Sequence, residues 1–199
     1  MKQLPSSNEF RKELIRETVR FDIRKKALVI LMILLGFLFM AILLNRSVVF
    51  KVTDDDMSPT LKEKDLLVKG KAKDLNSGDL VVLEYEGETI VRRIVAIEGD
   101  WVDFDRNGNV YVNNYVQEEE YLEEKALGIC DIDLPYQVPQ GQYFLLADER
   151  QDAVDSRRKE FGCFSIGELK GKILYRVWPL KDFGPMKTQT EADEANEES

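Results

Sequence analysis

The chain has 199 residues, room for one ordinary domain with appendages or for two small ones, and it contains no histidine. A Ser-His-Asp triad, a His-ligated metal and an imidazole proton relay are therefore excluded, and any chemistry must come from serine, lysine or carboxylates. With 28 Lys and Arg against 37 Asp and Glu the net charge is −9, which argues against nucleic acid as a partner.

The charge is unevenly spread. Residues 1–26 hold eight basic side chains (Lys2, Arg11, Lys12, Arg16, Arg20, Arg24, Lys25, Lys26) and four acidic ones (Glu9, Glu13, Glu17, Asp22), a net of +4, so the remaining 173 residues carry −13. Residues 7–26 read as a charged helix with Ser6 or Ser7 as its N-cap. Ala27 to Leu44 follows as eighteen uncharged residues in which only Gly36 lacks an apolar side chain. At 1.5 Å per residue the run is about 27 Å long, close to the thickness of a bilayer core. It exceeds the apolar part of a signal peptide and ends Ile-Leu-Leu-Asn-Arg, without a small-x-small cleavage site. The expectation is an uncleaved transmembrane helix over 27–44, with 1–26 a cytoplasmic charged segment anchored by Arg24-Lys25-Lys26 and everything after it extracytoplasmic in the cell membrane.

From residue 45 the period changes. Short β-branched and aromatic runs dominate, at 48–52, 66–68, 80–85, 89–97, 101–104, 110–112, 143–146 and 173–178. Turn residues separate them, at 76–79, 86–87 and 106–109, the last joining two strands as a hairpin. The domain, 45–183, is therefore expected to be mainly β, built of short antiparallel strands. Residues 117–140, with Glu118-Glu119-Glu120 and two prolines, read as an irregular, solvated excursion or small subdomain. The stretch 184–199 is acidic and poor in apolar groups, so a disordered tail is expected. Cys130 and Cys163 fit no metal spacing; they are either one bridge or two separate buried thiols.

Three polar segments stand out. Asp54-Asp55-Asp56 places three like charges directly after an apolar strand, which calls for a nearby cation. Arg92 and Arg93 lie inside the 89–97 strand, Arg92 in phase with Ile90 and Ile94, Arg93 with Val91 and Val95, so one of them must face the packed side and needs an acidic partner. The third is the polar loop from Ala147-Asp148-Glu149-Arg150 to Asp155-Ser156-Arg157.

Together these segments resemble the signature boxes of type I signal peptidases, the membrane-anchored Ser/Lys proteases that remove signal peptides. Asp56-Met57-Ser58-Pro59-Thr60-Leu61 resembles the Ser-Met-x-Pro-Thr nucleophile box, and Gly78-Asp79-Leu80-Val81-Val82 the Gly-Asp-Ile-Val box. Arg92 to Asp100 resembles Lys-Arg-Val-Ile-Gly-Leu-Pro-Gly-Asp, and Ala147 to Arg150 with Asp155 to Arg157 resembles Gly-Asp-Asn-Arg with Asp-Ser-Arg. The resemblance implies a signal peptidase/LexA-like β-rich fold after a transmembrane helix. It also implies an extended-peptide cleft at Phe50, Val52, Thr53, Met57, Pro59, Thr89, Ile90 and Val91, and structural roles for Asp148, Asp155, Ser156 and Arg157.

The same match removes the reaction. Asp56 stands where the nucleophilic serine belongs and Arg92 where the general-base lysine belongs; a carboxylate cannot be that nucleophile, and arginine does not release its proton to activate one. Asp54 replaces the serine that helps bind the oxyanion, and Ala153 the serine that steadies the lysine. No catalytic residue, cofactor or metal is expected, and Asp56 and Arg92 are expected to pair across the former dyad site. The resemblance extends to dyad-less signal peptidase-like proteins of Gram-positive surface pili, which implies an assembly accessory or chaperone with pilin subunits and a sortase as partners. The competing readings are an active signal peptidase with displaced residues, Ser58 being the candidate nucleophile, and a regulatory subunit of a true signal peptidase.

Overall fold

A computed structural model describes residues 24–41 and 49–186, which fall into two compact units divided after Arg46. In the first unit residues 24–41 are helical, and the apolar side chains from Leu28 to Met40 are exposed. This helix includes Arg24, Lys25 and Lys26, and residues 42–44 of the expected anchor lie outside the described residues. Among the described residues no helix is long and apolar enough to cross a membrane.

The second unit is β-rich. Its strands are β1 (Val49–Lys51), β2 (Leu66–Gly70), β3 (Leu80–Tyr85), β4 (Glu88–Ala96), β5 (Trp101–Phe104), β6 (Val110–Val112), β7 (Tyr115–Val116), β8 (Tyr136–Gln137), β9 (Gln142–Leu146), β10 (Phe164–Ser165), β11 (Leu169–Trp178) and β12 (Gly184–Pro185). Eight form an antiparallel sheet in the order β1-β2-β11-β3-β4-β9-β10, with β12 added to β11; the other four form a small sheet, β7-β6-β5-β8. Each apolar run seen in the sequence lies on a strand of the same place and type. The short β7, β8, β10 and β12 were not foreseen, because two-residue ladders carry no readable alternation.

β3 and β4 show why the sheet is buried on both faces. Their hairpin turns at Glu86 and Gly87, both with positive φ, the geometry of a type I′ turn. One face presents Leu80, Val82 and Val91 to a core shared with Val52, Met57, Leu61, Leu67, Ala147, Ala153 and Ile173. The other presents Val81, Leu83, Ile90 and Ile94 to a second core with Leu145, Phe161, Phe164 and Leu169. A third core joins Val95, Ala96, Phe144 and Leu146 to Val102, Val110 and Val138 of the small-sheet region. Val52 and Val91 meet in one core although β4 lies four places from β1, so the large sheet curls.

Two expectations need correction. The tail does not begin at 184: Gly184 and Pro185 pair with Arg176 and Tyr175, and Met186 packs against the first core. The stretch from 187 lies outside the described residues. The 117–140 excursion, short of regular structure as expected, is not merely solvated. Glu119 is 5% exposed, and Gly128, at φ +57, lies so close to the backbone oxygens of Arg150 and Gln151 that any Cβ would collide with them. The excursion is thus laid tightly against the polar loop that follows β9.

Candidate functional site

Two loops build the site. The first runs from the end of β1 through residues 54–61, where Met57, fully buried, anchors a turn closed by Leu61 N–H donating to Met57 O at 2.7 Å. The second leaves β9 at Ala147. They are joined by the Glu149 N–H, which donates to the Asp56 carbonyl at 2.8 Å.

At this junction Arg92 Nη2 donates to Asp56 Oδ2 at 2.6 Å. The guanidinium also donates from Nε to Val154 O at 2.9 Å and from Nη1 to Val91 O at 2.6 Å. All three nitrogens of this buried cation therefore have acceptors, as burial demands. The pair is asymmetric: the Arg92 side chain is 2% exposed and that of Asp56 36%. Asp54 accepts the Asp56 N–H at 3.1 Å. Its carboxyl is pushed above the ordinary range by burial and by the Asp56 charge, against the pull of that hydrogen bond and of Arg92. Ala153, where the resemblance implies a lysine-steadying serine, is buried in the first core, and its side chain offers no polar atom there.

Beside this lies a second polar cluster. The sequence required one buried arginine; both are buried, because β4 is covered on both faces. Arg93 forks onto Asp148, Nε to Oδ1 at 2.9 Å and Nη2 to Oδ2 at 2.5 Å, and donates from Nη1 to Gly78 O at 3.1 Å. Thr60 donates to the same Asp148 oxygen and accepts from Arg93 Nη2. The Tyr121 ring stacks on the guanidinium, 3.8 Å from its centre. Burial alone would lower the Arg93 pKa, but the bond and charge of Asp148 outweigh it and hold the group above its ordinary value. Arg150 pairs with Glu119 at 2.6 Å, both buried. Asp155 forks onto Arg157 and accepts the Ala147 N–H at 3.1 Å, while the Ser156 hydroxyl accepts from Leu145 N–H and donates to Gly162 O. Asp148, Asp155, Ser156 and Arg157 thus brace the loop. The contacts made by Thr60, Glu119 and Tyr121 escaped the sequence reading; one buried acid within a Glu-Glu-Glu run has no local mark.

Of the expected cleft residues, Phe50, Val52, Met57 and Val91 gather in the first core, Thr53 and Thr89 are exposed, and Pro59 is half-buried. Ile90 is a correction: strand alternation turns its side chain to the opposite face, into the second core. Ser58 lines a cavity of about 140 Å³ with Glu123, Glu124, Asp148, Glu149, Arg150 and Gln151. No lysine is among those lining residues, whereas four of them are carboxylates. Lys62 and Lys64 are exposed, and Lys69 donates to Lys170 O at 3.3 Å. Among the described residues no group of three or more acids or cysteines is placed to hold a metal. Cys130 and Cys163 are both free thiols, the latter pushed up to about 11 by burial.

A family model described as "Signal peptidase, peptidase S26" matches residues 23–178. Among curated relatives, Signal peptidase IB of Staphylococcus aureus (strain COL) is 29% identical over 154 residues, covering 67% of this chain and 79% of its own length. Thylakoidal processing peptidase 1, chloroplastic, of Arabidopsis thaliana is 35% identical over 105 residues, 50% of this chain and 29% of its own. Among solved structures, a signal peptidase I from Enterococcus faecalis aligns with a TM-score of 0.41 and 23% identity over 50% of this chain and 96% of its own.

Proposed function

The chain belongs to the signal peptidase, peptidase S26, family, and on that premise we propose that it works without hydrolysis, as a membrane-anchored accessory that binds extended segments of exported proteins. The single observation that carries this reading is the Asp56–Arg92 pair at 2.6 Å. It occupies the place where the family resemblance puts a serine and a lysine, and neither partner can do their work: the carboxylate is no acyl acceptor, and the guanidinium, bound on three sides, takes no proton. The loss extends to Asp54, a negative charge where an oxyanion would need a donor, and to Ala153. What survives is scaffold and strand edge, and backbone pairing at an edge needs no nucleophile.

In this proposal the uncharged run 27–44 is the anchor, with 1–26 cytoplasmic and the β unit extracytoplasmic; the run's apolar composition supports that placement. The partners are pilin subunits and a sortase, and the work is that of a chaperone in surface pilus assembly, a step that rests on the resemblance to dyad-less pilus-associated members. The purified full-length chain in detergent micelles, titrated with a fluorescent pilin subunit and with a fluorescent preprotein, is expected to bind at least one of them without cleaving it. Absence of binding to both overturns the accessory reading.

One observation favours a second reading. The curated relatives are named as signal peptidases, and Ser58 lies beside the site with a cavity before it. A displaced active centre predicts cleavage that Ser58→Ala abolishes and Asp56→Ala leaves intact.

A further inference from the structure

An extended peptide joins a sheet by exchanging hydrogen bonds with an unpaired strand edge, and two such edges meet at this site. Val52 exchanges bonds with Asp65 and Lys64 on the β2 side. By alternation Val49, Lys51 and Thr53 turn their backbone groups to the open side of β1, and Lys51 and Thr53 are exposed. On β4, Ile94 exchanges bonds with Gly78 and Asp79 on the β3 side. Ile90 and Arg92 therefore face β3, while Thr89 and Val91 face away from it. The β9 ladder covers β4 only from Arg93 onward. Thr89 and Val91 would thus form a second docking edge.

That edge is plugged at Val91. The Arg92 side chain leaves the strand on the face of Ile90 and Ile94, wraps over the edge and donates from Nη1 to the Val91 carbonyl at 2.6 Å. Val154 O and Asp56 hold the same guanidinium from its other nitrogens. Val91 is only 2% exposed, whereas Thr89 beside it is open to solvent. An arriving strand finds its acceptor taken, and freeing it would leave the buried Nη1 of Arg92 without a partner. Among the described residues no side chain donates to Lys51 or Thr53 on β1. Resting on the peptide-binding reading above, we propose that Arg92 is a latch: it closes the β4 edge and directs a partner peptide to β1 alone. The residue that ends the family's chemistry thereby sets which strand the ligand joins.

The test uses the full-length chain in detergent micelles, hydrogen–deuterium exchange read at single amides, and a short alternating Ala-Val peptide as probe. Arg92→Leu leaves the half-exposed Asp56 to solvent and frees the Val91 carbonyl, and continued protection of the Leu145 amide is expected as the sign of an intact fold. In the native chain the peptide is expected to slow exchange at Lys51 and Thr53 only; in Arg92→Leu it slows Val91 as well. A folded Arg92→Leu in which the peptide protects Lys51 and Thr53 but not Val91, or protection of Val91 by the peptide in the native chain, overturns the latch. Should that variant fail to fold, Arg92→Met gives the same readout, since its longer chain fills more of the space and it carries no donor for the Val91 carbonyl. A peptide that protects neither edge in either protein removes the peptide-binding reading and the latch with it, whereas protection confined to Lys51 and Thr53 in both proteins removes the latch alone.

Discussion

Asp54 shows how a single carboxylate can work against its surroundings. Half-buried beside Asp56, it titrates above its ordinary value of 3.8. As pH rises from that value through the raised one, the folded chain must release a proton that it holds more tightly than the unfolded chain does, so stability falls across the window and stays lower at neutral pH. Asp54→Asn keeps an acceptor for the Asp56 N–H and removes the charge. Its Tm is expected to exceed that of the native chain at pH 7, with the gain vanishing below the ordinary carboxylate value; equal Tm values at both would contradict this. The sequence displayed the Asp54-Asp55-Asp56 run and the need for a cation. It could not show that Asp54 stays outside the pair, since that depends on the turn geometry of residues 54–57.

At the scale of elements, β4 and the loop after β9 are clamped by Arg93 and Asp148, with Thr60 and Tyr121 closing the cluster from two other segments. Asp148→Ala leaves a buried guanidinium without its counter-charge and is expected to cost about 3–5 kcal/mol, read as a shift in urea midpoint. A double replacement, Arg93→Met with Asp148→Leu, is expected to recover most of that loss, because it leaves no orphaned charge. A double variant as unstable as the single one would show that the cluster acts through shape rather than charge. The strand pattern was legible because alternation, Gly-containing turns and β-branched runs agree along the chain. The burial of both arginines was not, because it follows from cores on the two sides of β4 whose members lie far away in sequence. The packing of 117–140 was hidden for a similar reason: Gly128 reads as a loop glycine until Arg150 and Gln151 are beside it.

For the whole molecule, the opening charge balance resolves into parts. Residues 98–140 hold eleven acids against Arg106 and Lys125, a net of −9, equal to the net charge of the entire chain. Most of the −13 carried after residue 26 therefore belongs to the small sheet and its excursion, while at the described site Arg92 is paired with Asp56 and Arg93 with Asp148. The missing histidine leaves a Ser/Lys mechanism open in principle, and the family is one for which the resemblance implies that mechanism. What is absent is a serine at 56 and a lysine at 92, and the pair that replaces them has partners on every nitrogen. The most direct test is incubation of the purified full-length chain in detergent micelles with a preprotein carrying a small-x-small site, followed by mass spectrometry of the products. The account predicts intact preprotein at all times, with no mature fragment. Appearance of the mature fragment, abolished by Ser58→Ala and untouched by Asp56→Ala, would contradict it.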